Sequence, residues 1–124
     1  HAMRFSADST SATFTVREYA AGEVRINDQV HRQAVLLSAT LIRPLAELAR
    51  ASALSTSHLD ELLALEPQLV LVGTAHAQDM PDAQWRSRLL SSGIGVEVMN
   101  LGAACRTYNL LVAEQRKVAV ILIP

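Results

Sequence analysis

The chain has 124 residues, half of them hydrophobic and 19% charged, with a formal net charge of −1. That length suits one domain able to bury a core without disulfides or a metal, and the composition excludes a disordered or highly charged tail protein. Basic residues are scattered rather than gathered into a stripe, and the five aromatics Phe5, Phe14, Tyr19, Trp85 and Tyr108 form no stacking platform, which argues against a nucleic-acid partner.

In chain order, Phe14, Val16 and Tyr19 lie in a short run that reads as a strand, with a turn at Ala20–Gly22. Val24 and Ile26 alternate with Glu23, Arg25 and Asn27, the period of a half-buried strand, and Asn27–Asp28 suits a hairpin turn. Val30 to Leu37 reads as one further strand, more apolar toward its end. From Ser38 to Ser55 no clean period emerges, and a loop, a short helix and a strand all stay open. Ser57 is expected to cap a helix with Asp60 three residues on and Leu59, Leu62 and Leu63 on its apolar face, stopped by Pro67.

Leu69 to Val72 is a short all-apolar strand of the kind buried on both faces of a sheet. Pro81 suits the first turn of a second helix carrying Trp85, Leu89 and Leu90 and ending near Gly93. Val96 to Met99 reads as a strand, Gly102 to Gln115 as a helix, and Val118 to Ile123 as a last buried strand. The expected fold class is α/β: a single domain over residues 3–124, a three-layer sandwich with a mixed, largely parallel central sheet and N-terminal β-hairpins. His1 and Ala2 precede Met3 and read as a remnant of expression.

Two of these strands run into small or polar residues. The first meets Gly73, Thr74, Ala75 and His76; the second meets Asn100, Leu101, Gly102, Ala103 and Ala104. In open α/β sheets, ligands bind beyond the carboxyl ends of strands, and a helix N-terminus there favours an anion. Gly73, Thr74, Asn100, Gly102, Ala103, Arg106 and Asn109 are therefore the candidate ligand-binding set, with Arg106 supplying the charge. Glu97 lies in the preceding strand. Against this stands a packing explanation of the glycines and a surface explanation of the arginine.

No catalytic residue, cofactor or metal is expected. Cys105 is the only cysteine, so no internal disulfide forms; its position beside Arg106 suits a reactive thiol, but no base is designated and a buried, inert role fits better. His31, His58 and His76 lack ligand spacing, with His58 expected to face solvent. Gly93-Ile94-Gly95 precedes a strand and lacks a third glycine at position 98, so it is a helix C-cap and turn rather than a dinucleotide fingerprint. Glu114 would share a helix side with Ala103, Thr107, Leu110 and Leu111, expected to face the sheet, and its position near the helix end lets it reach water. The longest apolar run, Val118 to Ile123, is far short of the about 20 residues a membrane helix takes, and no basic segment followed by an apolar one opens the chain. A reducing cytoplasm is the expected compartment.

The stretches Pro67-Gln-Leu-Val-Leu-Val-Gly-Thr74, Gly93-Ile-Gly-Val-Glu-Val-Met-Asn100 and Gly102-Ala-Ala-Cys-Arg-Thr-Tyr-Asn109 resemble the domain of unknown function 498 family, which includes a mitochondrial assembly factor of respiratory complex I. The resemblance runs from about Phe14 to Ile123. It implies a three-layer α/β sandwich and a role in assembling or stabilising complex I through protein–protein contact, and it brings no catalytic residues. The family often has a glycine after the Gly-Thr pair, where this chain has Ala75.

Two function classes follow. One is a non-enzymatic interaction module with a protein partner, a second copy of the chain included. The other is a small-molecule or anion-binding protein, enzymes included, using the Gly73/Gly102/Arg106 crevice. An exposed apolar patch would favour the first and a concave pocket with convergent polar groups the second.

Overall fold

Six consecutive apolar residues, Val118–Ile123, form a strand in which every side chain is buried, and the rest of the architecture is arranged around it. A computed structural model of the chain describes residues 13–124. Residues 3–12 of the expected domain, with His1, Ala2 and Phe5, lie outside the described residues.

In chain order the elements are β1 (Val16–Ala20), β2 (Glu23–Ile26), β3 (Gln29–His31), β4 (Val35–Ser38), β5 (Leu41–Pro44), a 3-10 turn (Ala51–Ala53), α1 (Thr56–Leu65), β6 (Leu69–Thr74), α2 (Ala83–Ser91), β7 (Gly95–Asn100), α3 (Leu101–Ala113) and β8 (Val118–Ile123). The central sheet has the order β5-β4-β8-β6-β7, and β1-β2-β3 form a separate antiparallel sheet. β6 pairs in parallel with both β7 and β8, while β4 runs antiparallel to β5 and β8. The central sheet is mixed as expected. Its parallel half is the part joined by helices.

Side chains of β8 point alternately to two cores. Ala119, Ile121 and Ile123 meet Leu59 and Leu62 of α1 and Trp85 and Leu89 of α2. Val118, Val120 and Leu122 meet Ala104, Cys105 and Tyr108 of α3 and Val24 and Ile26 of the small sheet. A strand covered on both faces has no place for alternating polar residues, which explains the unbroken apolar runs in β6 and β8.

Several local expectations need correction. Val30 to Leu37 is not one strand. Its exposed first part belongs to the small sheet, and Val35–Ser38, fully buried, belongs to the central one. The segment 38–55 resolves into the edge strand β5, where Pro44 costs no interior ladder bond, and the 3-10 turn. α1 is capped by Ser55, not Ser57, and Pro81 precedes α2 rather than joining its first turn. Leu90 is exposed, as is Leu110 at 59%, and the buried stripe of α3 is Leu101, Ala104, Cys105 and Tyr108 instead of Ala103, Thr107 and Leu110.

Other readings hold. Asn27 takes a left-handed backbone in the β2–β3 turn, Glu66 does so before Pro67 at the end of α1, and Gly93 does so after α2. At that last site Gly93 N–H and Ile94 N–H donate to the Leu90 and Leu89 carbonyls, closing the helix end.

Candidate functional site

The seven candidate residues do not converge on one crevice. Gly73 is buried within β6, and a Cβ there would run into the Ala104 side chain of α3 and lie 3.3 Å from Leu122. Its small size brings helix and strand together. Gly102 plays the same part against the small sheet: a Cβ would fall 2.7–3.0 Å from the Tyr19 ring.

Thr74 and Asn100 are cross-strand partners at the carboxyl ends of β6 and β7. They line a shallow depression of about 320 Å³ with His76, Asp79 and Met99. Asn100 caps α3 by accepting from Ala103 N–H at 2.8 Å. Thr74 Oγ1 donates to Asp79 Oδ2 at 3.3 Å and accepts from His76 N–H at 3.1 Å. Ala75 has no left-handed backbone; in this loop that conformation falls on Gln78. The backbone at position 75 therefore does not require a glycine.

Asp79 is the residue that sequence reasoning missed. Though buried, it accepts from Ala51 N–H at 2.7 Å and Ser52 N–H at 3.1 Å, the first free donors of the 3-10 turn. Burial by itself would raise its pKa. The two backbone bonds, the Thr74 hydroxyl and the Arg50 charge outweigh that and hold the carboxyl below the usual range. An Asp ahead of Met80–Pro81 is a loop signal, but nothing local points to donors 27 and 28 residues upstream.

His58 was expected to face solvent and is instead buried. Its Nδ1 accepts from Ser55 N–H at 3.0 Å, so the ring acts as the returning half of a capping box, a part usually taken by Glu or Gln. Its Nε2 faces Glu47 at 3.4 Å. Trp85 Nε1 donates to the Ser55 carbonyl at 3.0 Å and so ties α2 to the same cap.

Arg106 and Asn109 stand apart from Thr74 and Asn100, in a second depression of about 420 Å³ between β1 and α3. Asn109 holds Val16 by both backbone groups: its Oδ1 accepts from Val16 N–H at 2.9 Å, and its Nδ2 donates to the Val16 carbonyl at 2.7 Å. Tyr108, fully buried, donates its hydroxyl to the Phe14 carbonyl at 2.7 Å, and burial raises its pKa. Arg106 is exposed, donates to the Tyr19 hydroxyl and lies 5.8 Å from the centre of that ring.

Cys105 is 1% exposed, and burial pushes its thiol up to about 11 against the pull of neighbouring Arg106. At neutral pH it is a protonated packing residue. Glu114 reaches water at the end of α3, and Glu97 is exposed on β7. Among the described residues, no helix is long and apolar enough to cross a membrane.

Comparison with known proteins places this architecture. The family model described as "Protein of unknown function (DUF498/DUF598)" matches residues 16–123, and the chain belongs to that family. It is 31% identical over 122 residues to the 13 kDa major membrane protein of Francisella tularensis subsp. holarctica (strain LVS), covering 98% of this chain and 99% of that protein. It is 36% identical over 75 residues to NADH dehydrogenase [ubiquinone] 1 alpha subcomplex assembly factor 3 of Danio rerio, covering 59% of this chain and 43% of that relative. A crystal structure of a Bordetella parapertussis protein superposes with a TM-score of 0.82 at 33% identity, over 91% of this chain and 97% of that one.

Proposed function

We propose that the chain is a non-enzymatic protein-interaction module that assists the assembly of respiratory complex I. The similarity to assembly factor 3 of NADH dehydrogenase carries this reading, over a stretch that spans less than half of that relative. The local chemistry agrees with it. Thr74, Asn100, Asp79 and Asn109 direct their polar atoms at partners within the chain, where they build the fold. The contact surface we assign is the outer side of α3, where Arg106 and Leu110 lie one helical turn apart with Tyr19 beneath Arg106. Tyrosine and arginine are the types most often found as anchors of protein contacts. A reducing cytoplasm suits the free thiol of Cys105.

The test is a deletion strain of the native organism, assayed for complex I activity and for the assembled complex, together with a pull-down on the tagged chain. Loss of assembled complex, restored by the wild-type chain but not by Leu110→Asp, is the expected result. Normal assembly in the deletion strain would refute the reading.

A further inference from the structure

We propose that the seam between β1 and α3 is a docking site for an acidic segment of a protein partner, with Arg17 and Arg106 receiving its carboxylates. The proposal rests on the reading of the chain as an interaction module, but not on complex I as the client.

The first observation is a bulge. Pairing of β1 with β2 passes from Val16↔Ile26 to Glu18↔Arg25, which leaves Arg17 as an extra residue with no cross-strand partner. Bulges re-aim side chains, and this one is pinned because Asn109 holds both backbone groups of Val16. The second observation is the preparation of Arg106, whose guanidinium is held by the hydroxyl of Tyr19 and lies near its ring. An arginine ordered before binding loses less side-chain freedom on meeting a carboxylate.

Both arginines line the same depression of about 420 Å³, with Tyr19 and Asn109. Among the described residues neither has a carboxylate within 4.0 Å, whereas Arg25, Arg32 and Arg43 do. Glu18, also on the rim, lies 3.8 Å from Arg25. Among the described residues the seam therefore presents two exposed guanidinium groups with no carboxylate partner, over a partly aromatic wall. Planar forks fit Asp and Glu side chains by paired hydrogen bonds.

The experiment titrates isotope-labelled protein with an amidated hexapeptide of alternating Glu and Gly, followed by NMR. The same peptide with Gln for Glu and inorganic phosphate are the comparison probes. Saturable shifts centred on Val16–Tyr19 and Cys105–Asn109 are expected for the Glu peptide, weaker by at least about tenfold in the Arg17→Ala/Arg106→Ala double variant. Arg116→Ala should bind like wild type, since Arg116 and Lys117 line a different depression. Arg17→Ala alone keeps a readout if Arg106 proves necessary for folding, because no hydrogen bond of the Arg17 side chain is found among the described residues. Equal binding of the Gln peptide, shifts that follow Arg116, or no shifts would overturn the proposal. Phosphate binding as tightly as the Glu peptide would also overturn it, by showing a small-anion site. A deletion strain with normal complex I removes the client and leaves this measurement standing, so the two readings fail separately.

Discussion

The carboxyl ends of β6 and β7 and the seam between β1 and α3 both gather polar side chains, yet they use them in opposite directions. At the strand ends, Asp79 turns inward and satisfies Ala51 and Ser52, with Thr74 beside it. Its charge is spent on holding the 3-10 turn and the loop after β6 against each other. At the seam, Asn109 and Tyr108 hold Val16 and Phe14 across more than ninety residues of sequence, while Arg17 and Arg106 remain turned toward solvent. Polar groups at strand carboxyl ends, the usual place to look for a ligand, are here a staple. The outward chemistry lies one layer away.

The comparison breaks most sharply at Asp79. Asp79→Ala leaves the buried Ala51 N–H and the part-buried Ser52 N–H without their charged acceptor, so a loss of about 3 kcal/mol is expected in denaturant unfolding. Because the folded-state pKa is lowered, this stabilisation is fully present above about pH 5, where the carboxyl is ionised in both states, and is lost as pH falls through the ordinary Asp range to the folded-state value. Wild type should lose stability on acidification over that window, and Asp79→Asn should lose less. An Asp79→Ala protein as stable as wild type would show that the staple holds nothing.

Gly73→Ala comes next. The added methyl overlaps the Ala104 side chain across a packed helix–strand contact, and overpacking of this kind costs about 1–3 kcal/mol. Pairing it with Ala104→Gly should recover part of that loss in thermal unfolding. Absence of any recovery would place the strain elsewhere. Asn109→Ala removes both bonds to Val16, and a loss of about 1–2 kcal/mol is expected. Hydrogen exchange should quicken in β1 and leave β6 and β7 unchanged; uniform quickening would mean that the seam and the strand ends unfold together.

The smallest effect concerns Cys105. With its thiol buried and its pKa near 11, labelling at neutral pH should be far slower than for a free thiol and should speed up only under denaturing conditions. Rapid labelling of the native protein would show that the seam opens.

What the sequence determined by itself was the set of elements whose signals are local. The apolar runs of β6 and β8, the Asn27–Asp28 turn, the Pro67 stop and the Gly93 cap are all written in neighbouring residues, because burial on two faces and left-handed backbone restrict residue type at the position itself. The α/β sandwich follows from their order. Tertiary structure alone decided where the polar groups went. The break at Arg32–Ala34, which sends one apolar run into two sheets, depends on what each half meets. Asp79 finds its donors 27 and 28 residues upstream, Asn109 finds Val16 93 residues away, and His58 becomes a buried cap that meets Ser55 and Glu47 of the segment before α1. A hydrogen bond needs a partner at about 3 Å, and no spacing along the chain reveals a partner that only folding brings near.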